Sequence, residues 1–384
     1  MPDRRTSPPA LTADRPAPGR SRARAVRSGH VVPPVLVEVR RGGVVESRHR
    51  GHVVQVGPDG SIERAIGDPD VLVSLRSAAK PLGLVAFVEA GVADAFELSA
   101  PELAVLAASH SGEDLHVRTI LAILRRAQVS QTALGCGTAN APLDQVTAQR
   151  LARDGERPGM IRHQCSGQHV SFLLFAKHAG WPLDGYWEPD HPTQVAFRDA
   201  LARVLGRRPA DLVTSVDACG ILTYHVRLVD VARAYLRLAD PAGTANDAAS
   251  RALVPSLTRI RDAMMAAPDL VGGTHDRFDS ALMRTLPGRV CAKGGAEALQ
   301  AVGLVPDAPG HRAAGFAAKI EDGDQSSRAK PAVTTEALRQ MGVLGEPELR
   351  ALDAWHRPPM RDPRGAVVGE VVPSFELAPL SELR

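Results

Sequence analysis

A serine and a lysine three residues apart open the most chemically suggestive stretch of the chain, Ser77-Ala78-Ala79-Lys80-Pro81. On a helix that spacing puts both side chains on one face. Pro81 would normally break a helix interior. With Ser77 as N-cap it falls in the first turn, where a missing N–H costs little. The preceding Val71-Leu72-Val73 reads as a strand, so Ser77 is expected where a strand meets a helix start. Free backbone N–H groups at such a place can stabilise an oxyanion. A lysine buried beside another cation loses proton affinity and can take the serine proton. The bland alternative is a capping serine with a surface lysine, since Ser-x-x-Lys recurs by chance.

Three further stretches carry reactive side chains. Val290-Cys291-Ala292-Lys293-Gly294-Gly295 reads as a short apolar strand ending in a lysine and two glycines. The glycines let backbone approach a ligand, and Lys293 adds a point charge. An early Ser-x-x-Lys with a late triplet like Lys-Thr-Gly is the arrangement of penicillin-recognising serine enzymes, and Lys293-Gly294-Gly295 is such a Lys-Thr-Gly-like triplet. Ala108-Ser109-His110-Ser111-Gly112-Glu113 lies between two expected helices. Ser111 reads as a cap of the second helix, whereas Ser109 and His110 are candidates for substrate contact. His163-Gln164-Cys165-Ser166-Gly167-Gln168-His169 and the later Asp217-Ala218-Cys219-Gly220 offer two thiols and histidines, donors that suit zinc. Their spacing is not that of paired Cys-x-x-Cys, so two small core cysteines are the competing explanation.

The lysines stand out by their scarcity. Of the 46 basic residues among 384, only Lys80, Lys177, Lys293, Lys319 and Lys330 are lysines; the other 41 are arginines. Coding bias explains much of this, because asparagine occurs only twice. Arginine cannot lose its proton near neutral pH and lysine can, which makes each surviving lysine worth attention. A net charge of +3 argues against nucleic acid as the main partner. No run of 18 apolar residues predicts a membrane span. Residues 1–28 hold seven arginines, five prolines and no lysine, and read as a disordered basic tail ahead of a single catalytic domain, 29–384. Removing that tail is expected to leave folding and activity intact, as an assay of the truncated chain would show. Four widely spaced cysteines without an apolar leader fit reduced thiols in a cytoplasm.

The elements that must position these groups are α+β in kind. Alternating Val35, Val37 and Val39, then Val44-Val45, then His52–Val56 read as an antiparallel meander, with Gly51 separating the last two. Helices are expected at 77–91, 99–108, 112–126, 166–179, 193–205, 245–266, 276–286 and 346–355. Strands are expected near 212–216, 223–229, 288–293 and 313–320, and 130–165 reads as irregular. The order is strands, a helical middle, then a mixture, which implies an antiparallel sheet flanked by helices with a helical portion inserted. It does not alternate as a doubly wound nucleotide fold does.

Taken in order over about 320 residues, these stretches resemble the Rhizobium etli-type L-asparaginases of the asparaginase II family. The likeness is carried by Val37–Gly42 with Val45–Gly51, Arg76–Pro81, Ala108–Glu113, Cys165-Ser166-Gly167, Asp217–Gly220, Ala292–Glu297 and Lys319–Asp324. It implies a serine β-lactamase/glutaminase-like fold, a homodimer, and hydrolysis of L-asparagine to L-aspartate and ammonia. Ser77 would be the nucleophile and Lys80 its base, with Ser109 and Lys293 as a second Ser–Lys pair. Arg76, His110, Cys165, Asp217 and Gly294 would line the substrate pocket, Asp217 meeting the α-ammonium. Of two lysines close together in a dry pocket, one must be neutral.

No redox or organic cofactor is implied. The family's zinc is held by Cys, Lys and Cys; here Cys165 and Cys219 are present, but Gln168 stands at the lysine position. An amide oxygen is a poorer zinc ligand than an amine, so weak or partial zinc is expected. The alternatives are a glutaminase, a β-lactamase-like hydrolase (disfavoured by the lack of a Ser-Asp-Asn triplet and of an export signal), or a catalytically impaired binding or regulatory homologue.

Overall fold

A computed structural model describes residues 32–306 and 312–380. The expected basic tail, residues 1–28, lies outside the described residues. Strands β1 (Val35–Arg41) and β2 (Val44–Val56) form a hairpin turning at Gly42-Gly43, and β3 (Ile62–Ile66) pairs back onto β2. Next come β4 (Leu72–Ser74), β5 (Val213–Val216) and β6 (Leu222–Arg227), which make a small sheet in the order β4-β6-β5. The main sheet is completed by β7 (Val290–Gly295), β8 (Leu299–Leu304), β9 (Ala314–Ile320), β10 (Pro359–Arg361) and β11 (Val367–Pro373). Its order is β10-β11-β1-β2-β9-β8-β7, and every pairing is antiparallel.

The α+β class expected from the sequence is thus the one observed. Gly51 does not end a strand as expected. The chain runs through it in β2, and at this point β2 leaves its β1 partner for β9.

The β7–β8–β9 end of the sheet is covered on both faces, so nearly every residue in it is buried. Helix Leu228–Ala239 packs on β8 and β9, and helix Ala329–Gln340 touches β8, β9 and β11. A helical layer comprising Ala100–Leu106, Asp114–Arg126, Ser166–Ala179, Pro192–Leu205 and Ala248–Ala266 stands beside the sheet. It holds the expected helices to within a few residues.

Three expectations fail for local physical reasons. The stretch 130–165 is not wholly irregular: Gln145–Arg153 is helical, started by Asp144, whose Oδ2 accepts the Thr147 N–H at 2.7 Å. The strand expected over 223–229 ends at Arg227, and helix Leu228–Ala239 begins at once. Asp230 in its first turn accepts from Arg227 at 2.9 and 3.0 Å, which favours a helix start over the β pattern of Leu228, Val229 and Val231. Ser111 is not the cap of the next helix; Glu113 holds that position, and Ser111 donates to its carboxylate at 2.5 Å.

Candidate active site

Ser77 sits in a short 3₁₀ turn, Arg76–Ala79, that follows β4 directly. The expected helix over 77–91 is broken into this turn and two short helices, Lys80–Gly83 and Val85–Glu89. Ser77 is not an N-cap: Leu75 occupies that position and no side chain caps the turn. The sharp turn comes instead from Arg76, whose φ of 44° lies in the left-handed region. A non-glycine residue there is strained by about 1–3 kcal/mol, strain that clusters at functional sites. Three contacts hold the conformation. The Arg76 N–H donates to Thr223 Oγ1 at 3.0 Å, Leu75 N–H donates to Tyr224 O at 2.8 Å, and Tyr235 Oη donates to Ala78 O at 2.9 Å. Pro81 falls at the start of the following helix, as expected.

The turn faces the end of β7. A Cβ on Gly295 would lie 2.7 Å from Leu75 O, so only glycine lets the two segments approach this closely. Between them opens a cleft of about 480 Å³. Ser77, Ser109, Arg76, Asp217, Cys165 and Cys219 line it, together with Lys293 and Gly294. Lys80 is buried beneath it, 3% exposed. Gly294 contributes no free donor, because its N–H goes to Asp279 Oδ2 at 2.8 Å.

The lysine pairing differs from expectation. Ser109 pairs with Lys80, not with Lys293: Lys80 Nζ donates to Ser109 Oγ at 3.0 Å, to Ala108 O at 2.9 Å and to Cys165 Sγ at 3.2 Å. Three donated bonds use all three protons of an ammonium. No hydrogen bond joins Lys80 to Ser77 among the described residues. Lys293 is the lysine whose proton affinity falls. Burial pulls its amine down to about 7, aided by the charges of Lys80, Arg277 and Lys330 and opposed by Asp279, 3.7 Å away. Its Nζ donates to Gly294 O at 2.8 Å. One lysine of the pair is therefore close to neutral, as expected, and it is Lys293.

His110 does not reach the cleft. It is fully buried, stacked on His116 with ring centroids 4.6 Å apart. Burial first, then the neighbouring positive groups, pushes its pKa well down. Its Nδ1 accepts the Gly112 N–H at 3.1 Å, so Nε2 carries the proton and donates to Ser166 Oγ at 2.9 Å. His110 thus braces the start of helix Ser166–Ala179 and is not among the residues that line the cleft. Asp217 lines the cleft but is not free: its Oδ1 binds Arg76 at 2.8 Å.

Cys165 and Cys219 are both free thiols. A hydrogen bond from Cys219, with the charges of Lys80 and His163, holds the Cys165 thiol well below its ordinary value against the cost of burial. The same bond raises Cys219. Gln168 is buried with its Oε1 unpartnered, and it does not line the cleft. Two thiols, one already engaged by an ammonium, and an amide oxygen do not fit a tight tetrahedral zinc site. Among the described residues, the one trio of His, Cys, Asp or Glu close enough to share an ion is Glu113, Asp144 and His275, and none of these lines the cleft. Elemental analysis is expected to find well under one zinc per chain, and Gln168→Lys to raise it. Stoichiometric zinc that survives dialysis against a chelator would overturn this.

Two groups in the cleft escaped the sequence reading. Asp279 sits in the first turn of helix Phe278–Thr285; against the cost of burial, Lys293, Lys330 and the Gly294 N–H hold its carboxyl below the usual range. No sequence signal marks it. Lys330 lines the cleft from helix Ala329–Gln340, and its only signal was the scarcity of lysine.

Residues 37–373 match the family model described as L-asparaginase II. The chain belongs to the L-asparaginase II family. Membership supports an amidohydrolase. No curated protein matches the chain. Among solved structures the chain is similar to a probable glutaminase from Bacillus subtilis complexed with 6-diazo-5-oxo-L-norleucine, at 12% identity and a TM-score of 0.37, over 78% of this chain and 87% of that one. A Bacillus glutaminase structure matches equally, at 12% identity and a TM-score of 0.37, over 76% and 91%. Likenesses this distant carry no argument about substrate. No described helix of this L-asparaginase II member is long and apolar enough to cross a membrane.

Proposed function

We propose that this protein hydrolyses L-asparagine to L-aspartate and ammonia through an acyl-enzyme on Ser77. The observation that carries the reading is a serine on a strained turn sharing one cleft with a lysine amine near pKa 7, in a chain of the L-asparaginase II family. Ser77 Oγ attacks the side-chain amide carbon, and its proton passes to an amine. The amine hands that proton to the amide nitrogen, which leaves as ammonia; water then attacks the ester, and the amine takes the water's proton and returns it to Ser77 Oγ as aspartate leaves. We assign the accepting amine to Lys293 in place of Lys80. Lys80 is engaged as a triple donor, whereas a neutral Lys293 keeps a lone pair. The Lys80 charge then helps to keep Lys293 neutral, and its hydrogen bonds position Ser109 and Cys165. To the Ser77 N–H, in the first turn of its 3₁₀ segment, we assign the donor that stabilises the developing oxyanion.

Glutamine is the second substrate to test, since it differs by one methylene, worth about 10–200-fold in a pocket of this kind. The test is ammonia release from each amide by wild type and Ser77→Ala. No asparagine- or glutamine-dependent ammonia from the wild type would favour the catalytically impaired homologue. By the same family likeness we take the working form to be a cytoplasmic homodimer, which light scattering checks for assembly.

A further inference from the structure

Two of the five lysines, Lys293 and Lys330, line the cleft, and Lys80 is bonded to its lining residues Ser109 and Cys165; Lys293 in turn holds Gly294 O. Lys330 has no such partner. Among the described residues its Nζ makes no hydrogen bond and has no carboxylate within the 4.0 Å of an ion pair. The acids nearby are already engaged. Asp279 accepts from Gly294 N and from Gln300 Nε2, each at 2.8 Å, and has Lys293 at 3.7 Å. Asp217 pairs with Arg76. Asp324 Oδ2 takes the N–H groups of Ala329 and Lys330, both at 2.8 Å. The helix Ala329–Gln340 therefore offers the cleft an ammonium and not its own first N–H donors.

The position of that ammonium depends on Gly294. A Cβ at Gly294 would stand 2.8 Å from Lys330 Nζ, so any larger residue would displace it. Burial weakens Lys330's hold on its proton, and Asp279 only partly offsets this. An anionic group entering the cleft would complete the balance. The amino-acid amide proposed as substrate carries one such group, its α-carboxylate, and an ammonium–carboxylate pair inside a cleft is a strong charge-assisted hydrogen bond.

We propose that Lys330 anchors the α-carboxylate of the substrate and so restricts the enzyme to amides that carry one. This rests on the amino-acid amidohydrolase reading above. The test compares L-asparagine with 3-aminopropionamide, the same amide with hydrogen in place of the carboxylate. Both are assayed with wild type, Lys330→Met and Lys330→Arg. Wild type is expected to favour L-asparagine about 100-fold in kcat/KM. Lys330→Met should erase that preference, chiefly by raising KM for L-asparagine, because any change passed through Lys293 falls equally on both substrates and cancels in the ratio. Lys330→Arg should keep part of it.

Equal losses on both substrates, or a shifted pH profile with discrimination intact, would show that Lys330 merely tunes Lys293 and would overturn the proposal. A wild type that releases no ammonia from asparagine would reject the functional reading instead. Calorimetric binding of L-aspartate then decides the anchor separately: about 100-fold weaker binding to Lys330→Met supports it, and unchanged binding overturns it. Should Lys330→Met fail to fold, Lys330→Gln read against Lys330→Arg gives the same comparison.

Discussion

Ser77→Ala is expected to lower kcat for asparagine hydrolysis by about four to six orders of magnitude while leaving L-asparagine binding nearly unchanged. The size follows from the role. Without the hydroxyl no acyl-enzyme forms, and what remains is water attacking an amide held in place. The hydroxyl belongs to a half-buried residue for which no side-chain hydrogen bond is found among the described residues, so its loss disturbs little packing. The fold around it is held by the Thr223, Tyr224 and Tyr235 contacts, none of which involves the Ser77 side chain. A coupled ammonia assay with a melting curve separates chemistry from folding. Residual activity above about 1% in a folded Ser77→Ala would place the nucleophile elsewhere, with Ser109 and Cys165 the next candidates in the cleft.

The second large effect concerns pH. Lys293 must be neutral to accept a proton, and its amine is lowered to about 7. Below that pH the free enzyme carries Lys293 protonated, so kcat/KM is expected to fall about tenfold per unit of acidification and to level off above it. The direction is that of a base that must lose its proton to work. Lys293→Arg keeps the charge but cannot shed it, and is expected to cost about 10³-fold or more. In its residual activity the limb near 7 should disappear. An acid limb that persists unmoved in Lys293→Arg would assign it to another group and return the base role to Lys80. Because Asp279 opposes the lowering, Asp279→Asn should move the limb to lower pH, since a lost negative neighbour makes the ammonium less favourable.

Much of the reaction centre was legible because its signals are local. A Ser-x-x-Lys after an apolar strand, a Lys-Gly-Gly at a strand end and the rarity of lysine all point to residues that the structure gathers around one cleft. The class of fold was legible too, since alternating valines and long amphipathic runs carry their periods in the sequence. What misled were the features that depend on distant partners. Ser77 looked like an N-cap, but the turn is set by Arg76 pinned to Thr223, which is 147 positions away. Ser109 was paired with the wrong lysine because spacing along the chain says nothing about which amine a loop 29 residues on will meet. His110 stands beside Ser109 in the chain yet is buried against His116 and does not line the cleft.

By itself, the sequence determined which side chains are chemically capable: Ser77, the amines of Lys80 and Lys293, and the two thiols, with Gln168 where the resemblance calls for a third metal ligand. Only the tertiary structure decided which lysine is basic, because proton affinity depends on burial and on the sum of nearby charges. Those charges come from the helix starts at Phe278 and Ala329 and from the start of helix Lys80–Gly83, elements far apart in the chain. The same holds for Lys330, a lone lysine in sequence that becomes an unpaired cation in the cleft only when Asp279, Asp324 and Gly294 fold around it. Residue type is local and covalent, whereas electrostatic environment is collective, and function here rests on both.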